Sequence, residues 1–509
     1  MKGKYRRTET VSRMFRAPGP KITKGVYGKV FISFSLRDNK KVHPGAVGHG
    51  RRRSRRRDLN GDKGSVEDKN PREEAVAIVR KLREAGHEAF FVGGSVRDLA
   101  RGLDPEEFDI VTSARPEEIK RLFPKTVPVG ESFGITLVVR DGKKYEIATY
   151  RTEAGYGDGR HPSRVEFSSR AEEDVLRRDF TINGLLMDPE SGRIIDFIGG
   201  LDDLRREIVR TIGNPGERFS EDHLRMLRAV RFAANLNFAL DERTFRAIVA
   251  HSGRIRRVSA ERTREEITRI LQGGHARRGM ELLAETGLLT HILPEVDEMR
   301  GVDQPERFHP EGDVWEHTLR MLAMLSAEPQ LRSDVRFAWG TLLHDVGKPA
   351  TRSVNSGGIH FYGHPRQGEK IAANILDRLR FSRADAETIL SLIREHMLFM
   401  NAMEMRPSRL KRFLRMPDFK LHLELHRLDC LASHGDLETY EFCRAKLEEY
   451  ASEQLKPERL IGGGDLIAMG YRPGPLFSEI IRVAEDAQLD GEISTKEEAI
   501  KFVREKWPL

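Results

Sequence analysis

Two carboxylates two positions apart, Glu107 and Asp109, follow a Gly-Gly turn at Gly93-Gly94 and a basic-acidic pair, Arg97-Asp98, in the run FFVGGSVRDLARGLDPEEFDIVT. Alternate side chains of a β-strand share a face, so Glu107 and Asp109 are expected to point at one spot while Phe108 turns into the core. Two carboxylates aimed at one point suit Mg²⁺. Glycines that let backbone N–H groups approach closely, beside the fixed charge of Arg97, suit a polyphosphate. Together they imply metal-assisted phosphoryl or nucleotidyl transfer. An ordinary turn before a solvated acidic strand would use the same residue types; the order of strand, Gly-Gly, Arg-Asp, linker and acidic strand favours chemistry.

Flanking elements must position these groups. PREEAVAIVRKLREA, Pro71 to Ala85, predicts a helix: Pro stands at its start, acids in the first turn, bases in the last, and Gly86 ends it. Strand-like runs follow at 89–92, 108–112, 135–140 and 145–149, with Asp141-Gly142 marking a hairpin between the last two. The expected fold class is α+β, a small mixed sheet with helices packed on it. Residues 153–170, rich in Gly, Pro, Asp and Arg, read as a loop.

At Gly93, Gly94, Val96, Arg97, Asp98 and Asp109 the chain resembles the class II tRNA nucleotidyltransferases and bacterial poly(A) polymerases, whose signature is GGxVRD followed by DxD. The resemblance implies a polymerase-β-like head and a Mg²⁺ site at Glu107 and Asp109. It also places a third acid, Glu146, on the strand carrying YEIATYR; a solvated charge on an outward face stays open for Glu146. Glu107 departs from the pattern. It keeps the charge of the family Asp but adds a methylene, and Mg²⁺ demands near-ideal octahedral geometry.

RRDFTINGL is expected to put Asp179 and Asn183 four apart on a helix. The resemblance implies that Asp179 holds the sugar hydroxyls and that the paired arginines, Arg178 among them, lie near the phosphates. In EDHLRMLRAVRFAANL, Leu224, Leu227 and Val230 make an apolar stripe, while Asp222 and Arg225 are expected to share another helix face at i, i+3. A carboxylate there accepts from an exocyclic amine and a guanidinium donates to the adjacent ring nitrogen. Cytosine and adenine fit that pair; guanine and uracil reverse it. Alone, the two would read as a surface ion pair, but EDxxR matches the family in kind and order.

Histidines and acids gather further on: His317 in WEHTLRML, His344-Asp345 in LLHDVGK, His364 in YGHP, His396 in REHM and Asp429 in RLDCLASHG. Such ligands on successive helices can converge on a divalent metal inside a helical bundle. The order resembles the HD phosphohydrolases, whose minimal set H…HD…D maps to His317, His344, Asp345 and Asp429, with His364 and His396 as further ligands for a second ion. The resemblance implies a divalent transition metal or Mg²⁺ and phosphatase or phosphodiesterase chemistry.

The 509 residues, 38% of them hydrophobic, allow several well-packed domains. The expected division is a basic, disordered extension at 1–70, a nucleotidyltransferase domain at 71–212, a helical neck at 213–300, an HD domain at 301–450 and a helical tRNA-binding tail at 451–509. The net charge of +8 conceals an asymmetry: residues 1–57 hold 18 Lys and Arg against 2 Asp and Glu, which leaves −8 for the rest. The run Arg51 to Arg57 suits non-specific phosphate contacts; the clusters Arg254–Arg257 and Arg262–Arg264 suit either tRNA phosphates or a solvated helix face. Two cysteines, Cys430 and Cys443, form no CxxC pattern, and no apolar run is long enough to span a membrane. The expected setting is a reducing cytoplasm.

These features imply template-independent addition of CCA to the 3′ end of tRNA from CTP and ATP. Two alternatives stay open: A-only addition to tRNA or to an RNA tail, and a metal phosphohydrolase whose nucleotidyltransferase half has decayed.

Overall fold

The structure, a computed structural model, describes residues 70–450 and 458–509, apart from 129–133, 157–158, 160–161 and 308, together with the backbone of two earlier strands. The chain divides into two compact units, Met1–Asp222 and His223–Leu509.

In the first unit, helix α1 (Pro71–Glu84) starts on an Asn70 cap whose side chain accepts from the Arg72 N–H, and Gly86 leaves it with φ +89°. Its apolar face, Ile78, Val79 and Leu82, is fully buried. The strands are β1 (Lys21–Lys24), β2 (Val30–Ser33), β3 (Ala89–Val92), β4 (Asp109–Thr112), β5 (Thr126–Pro128), β6 (Ile135–Arg140), β7 (Lys143–Thr149), β8 (Arg151–Tyr156), β9 (Pro162–Phe167), β10 (Leu186–Met187) and β11 (Ile194–Asp196). Among the described residues, nine of them form one sheet in the order β1-β2-β11-β10-β3-β4-β7-β6-β5. Apart from the parallel pair β4 and β7, neighbours run antiparallel. The mixed sheet is as expected, and β1 and β2 extend it from within residues 1–70. The run Arg51 to Arg57 lies outside the described residues.

Asp141 and Gly142 both have positive φ, 47° and 79°, so the hairpin between β6 and β7 turns with the twist that matches its strands. Residues 153–170 are not a plain loop. β8 and β9 pair antiparallel from Arg151↔Phe167 to Tyr156↔Pro162, so Gly155 and Pro162 lie within strands. Gly and Pro inside short, mostly polar strands remove the usual strand signature.

The second unit is built on helices. Helix Leu224–Leu236 buries Leu224, Leu227 and Val230 as its stripe requires. Helices Glu242–His251, Ala260–Leu271 and Ala276–Glu285 follow. A bundle then forms from Val314–Ser326, Val335–Leu343, His364–Arg378, Arg383–Glu395 and Phe419–Ala432. A short hairpin, Ser353–Asn355 with Gly358–His360, interrupts it. The tail helices Pro475–Asp490 and Lys496–Lys506 share their own apolar core around Leu466, Ile480 and Val503. Cys430 and Cys443 are buried free thiols. Among the described residues, no helix is long and apolar enough to cross a membrane.

Candidate functional site

The geometry of the first unit begins at the end of β3. Gly93 takes φ +74°, a region in which a side chain is strained, and turns the chain into helix α2 (Gly94–Ala100). A Cβ on Gly93 would lie 3.7 Å from Asp109 Oδ2 and 3.9 Å from an Arg178 guanidinium nitrogen, so both groups close over this glycine. The sheet register supplies the second acid. Pairing of Ile110 with Ile147 in parallel strands sets Asp109 and Glu146 side by side, on the face opposite those two buried isoleucines.

Glu107 departs from the strand expectation. β4 starts at Asp109, so Glu107 approaches from the preceding coil rather than from an alternating strand position. Phe108 is buried against Phe91, with ring centroids 5.0 Å apart, which turns its two acidic neighbours away from the core. Burial of the carboxyl raises the Asp109 pKa; Arg178 pulls it down and Glu107 pushes it further up. Glu146 is raised by burial and then by the Asp109 charge. Three mutually repelling carboxylates with oxygen donors only fit a hard cation such as Mg²⁺.

Arg178 is held rigidly. Its Nε and a terminal nitrogen donate to Asp174 at 3.1 and 2.9 Å, and Arg177 donates to the other Asp174 oxygen at 2.9 and 2.6 Å. Asp174 is 1% exposed; burial alone would raise its pKa, but the two guanidinium groups hold it below the usual carboxylate range. Arg177 continues to Glu153, which also pairs with Arg151. Asp174 was not among the sequence candidates, although its i+3 and i+4 spacing to the two arginines is visible in EEDVLRRD.

The remaining expected residues of this unit form one network. Arg97 donates through two nitrogens to Asp98 at 3.0 and 3.1 Å and through a third to Asn183 at 2.8 Å, and Asn183 donates to Asp179 at 3.4 Å. Asp179 and Asn183 do not sit on an α-helix: Asp179 lies in a turn and Thr181–Asn183 is a single 3-10 turn. The Asp179 carboxylate instead accepts from the Phe180 N–H at 2.8 Å, a local bond that competes with helix formation.

Asp222 and Arg225 do not share one helix face. Helix Pro215–Glu221 ends at Asp222, whose backbone is extended at φ −140°, and Arg225 lies in the first turn of helix Leu224–Leu236. An Asp favours such a boundary over a helix interior.

In the second unit all six expected ligands come together around Asp345. Asp345 Oδ2 lies 3.1 Å from His344 Nε2, 4.0 Å from His317 Nε2 and 2.7 Å from Lys348 Nζ. Asp345 Oδ1 lies 3.5 Å from His364 Nε2 and 3.8 Å from His396 Nε2. Asp429 Oδ1 is 3.2 Å from His317 Nε2. Two clusters result, His317 with His344 and Asp429, and Asp345 with His364 and His396.

Imidazole tautomers can be assigned from partners that only accept. The Nδ1 of His344, His364 and His396 donates to the carbonyls of Thr341, Phe361 and Ile393, so each Nε2 presents a lone pair. Yet His364 Nε2 and His396 Nε2 face each other at 3.1 Å. Two lone pairs at that distance repel unless a cation lies between them. Burial lowers the His364 pKa and takes His396 to about 3, so a proton is a poor substitute. His344 Nε2 and Asp345 Oδ1 are also buried without a hydrogen-bond partner. The residues therefore fit a divalent metal, the imidazole and carboxylate set suiting a transition ion. Lys348, which also donates to Gln304 at 2.7 Å, was not among the sequence candidates, nor were His309 and Glu311 beside His317.

Three family models match this order of units: the "Poly A polymerase head domain" over 89–210, the "Probable RNA and SrmB- binding site of polymerase A" over 237–300 and the "HD domain" over 314–433. A CCA-adding enzyme of Geobacillus sp. (strain WCH70) is 40% identical over 270 residues, 52% of this chain and 67% of that one. Its counterpart in Geobacillus kaustophilus is 47% identical over 224 residues, 44% of this chain and 55% of that one. These alignments span about half to two thirds of the relatives' length. The crystal structure of the Bacillus stearothermophilus CCA-adding enzyme in complex with CTP superposes with a TM-score of 0.68 at 29% identity, covering 86% of this chain and 98% of that one. The Thermotoga maritima CCA-adding enzyme complexed with tRNA shares the fold, with a TM-score of 0.55 at 21% identity over 87% of this chain and 97% of that one. The chain thus shares sequence and fold with these enzymes, and it belongs to the CCA-adding enzyme family.

Proposed function

We propose that this protein adds C, C and A without a template to the 3′ end of tRNA, using CTP and ATP and releasing pyrophosphate. The observation that carries this reading is the closing of Asp109 and Arg178 over Gly93, with Glu146 beside Asp109 on the neighbouring strand. Glu107, Asp109 and Glu146 are the groups to hold Mg²⁺, and the bound ion would neutralise triphosphate charge and favour ionisation of the 3′-hydroxyl. Gly93 and Gly94 give the phosphates close access to the backbone, and Arg178, braced by Asp174, offers them a fixed positive charge. Arg97 holds Asp98 and Asn183 in one network and so presets Asp179 for the sugar hydroxyls. Asp222 accepts from the exocyclic amine of C or A, and Arg225 donates to the adjacent ring nitrogen. Guanine or uracil would leave polar groups unpaired at about 1–3 kcal/mol each.

Purified protein with tRNA lacking its CCA end, and each nucleotide singly, tests this. CTP alone should label that tRNA, and ATP should label tRNA ending in CC. GTP or UTP incorporation equal to CTP would overturn the base reading; failure with CTP but activity with ATP on tRNA-CC would mean an A-adding enzyme.

A second reading is favoured by the facing lone pairs of His364 and His396. His317, His344, Asp345, Asp429, His364 and His396 are the groups to hold a divalent transition metal or Mg²⁺, and metal bound there would acidify a water and polarise a phosphoester. Lys348, 2.7 Å from Asp345, adds a positive charge for a substrate phosphate. Hydrolysis of a 2′,3′-cyclic phosphodiester by the chelator-treated protein, reloaded in turn with Mn²⁺, Ni²⁺, Co²⁺ or Mg²⁺, tests it; no hydrolysis with any of them sinks it.

A further inference from the structure

Four histidines of the helical bundle point a ring nitrogen at the Asp345 cluster, and three of them are braced in the same way. His344 and His396 follow the last residues of helices Val335–Leu343 and Arg383–Glu395, where carbonyls three residues back lack an intrahelical partner and accept from Nδ1. His364 uses the Phe361 carbonyl in the turn before its own helix. His317 has no such option. It lies in the first turn of helix Val314–Ser326, and its brace comes from a side chain in the preceding segment.

That side chain is Glu311. Its Oε1 accepts from His317 Nδ1 at 2.7 Å and from His309 Nδ1 at 2.9 Å, with the two rings edge to face at 5.2 Å. The Glu311 side chain is 0% exposed, and its Oε2 is buried without a hydrogen-bond partner. A buried carboxylate with an unsatisfied oxygen is costly to keep, so its place here calls for a reason beyond packing.

We propose that Glu311 is a positioning residue that sets the metal affinity of the cluster. Its Oε1 fixes the His317 ring with Nε2 facing Asp429 and Asp345, and its charge makes that imidazole a stronger donor to a metal than a neutral carbonyl partner would. His309 shares the same oxygen and fills the other side of the brace. The inference rests on the metal-binding reading of this cluster.

The test uses the full chain, freed of metal by chelation and titrated with Mn²⁺ or Ni²⁺ alone by calorimetry. Glu311→Ala should weaken binding about 10–100-fold, and Glu311→Gln, whose amide oxygen still accepts from one imidazole, should recover part of the loss. CTP incorporation into tRNA should stay at the wild-type level in both, which reports an intact fold. Unchanged affinity in Glu311→Ala overturns the proposal, as does a lowered melting temperature of the metal-free Glu311→Gln protein with wild-type affinity, which would make Glu311 a structural brace. If the wild-type chain and His344→Ala bind no metal alike, the metal reading itself fails, and that result is distinct from a failure of Glu311 alone.

Discussion

The two clusters face the same problem, concentrating negative or lone-pair density at a point, and solve it in opposite ways. In the first unit the donors are carboxylates on residues that are exposed as a whole, although the Asp109 and Glu146 carboxyl groups are partly buried, and the counter-charge is Arg178, itself locked by a buried aspartate. In the second unit the donors are mostly imidazoles, Asp345 is almost fully enclosed, and the counter-charge is Lys348. An open set of oxygens leaves a hard cation room for water and phosphate ligands, whereas a buried set of nitrogens selects a more strongly held ion. The comparison teaches that enclosure follows ligand type in degree: burial already raises the Asp109 and Glu146 pKa values, while an imidazole, which can stay neutral, tolerates fuller enclosure.

The largest expected effect separates the two chemistries. Asp109→Ala should reduce CTP incorporation by roughly a thousandfold and leave phosphodiester hydrolysis intact, while His344→Ala should do the reverse. Assays of both activities on both variants check it, and loss of both activities in either variant would break the comparison. Next in size, Asp174→Ala leaves Arg177 and Arg178 without their shared partner and should destabilise the first unit by about 3–5 kcal/mol. Denaturant unfolding monitored in the full chain measures this, with hydrolysis in the second unit as the internal reference.

A pH prediction sharpens the contrast further. Asp109 and Glu146 have raised pKa values, so protons compete with Mg²⁺ above the usual carboxylate range. Since the ion binds the deprotonated groups, higher Mg²⁺ should move the acidic limb of the incorporation profile to lower pH; an acidic limb indifferent to Mg²⁺ would contradict this. The smallest effect is expected at Glu107. It approaches from coil, where no strand pairing fixes its backbone against one added methylene, so Glu107→Asp should raise turnover by no more than about tenfold, or about 1.4 kcal/mol in the barrier. A larger rise would mean that the longer side chain compromises the site.

Much of the first site was legible because its parts are close in the chain. GGSVRD, Asp109 and the Asp141-Gly142 hairpin are local patterns, and local patterns survive into the fold. Less legible was anything decided by competition at an element boundary. Asp179 bonds its own neighbour and breaks the predicted helix, Asp222 ends one helix before the next, which carries Arg225, begins, and Glu107 falls just outside β4. The hairpin of β8 and β9 was hidden because its strands are mostly polar and include Gly155 and Pro162, so no apolar period-two alternation marks them.

What the sequence determined by itself is the inventory: which acids, imidazoles and arginines exist, in what order, and which helices and strands their periodicity supports. Tertiary structure alone decided how they meet. Asp345 became the hub because both of its oxygens are reached by histidines from separate helices, and Glu311 and Asp174 became braces because burial left His317 and Arg178 in need of a fixed partner. Such roles depend on distances between segments far apart in the chain, and those distances are set by packing of apolar faces that carry no trace of the polar groups they bring together.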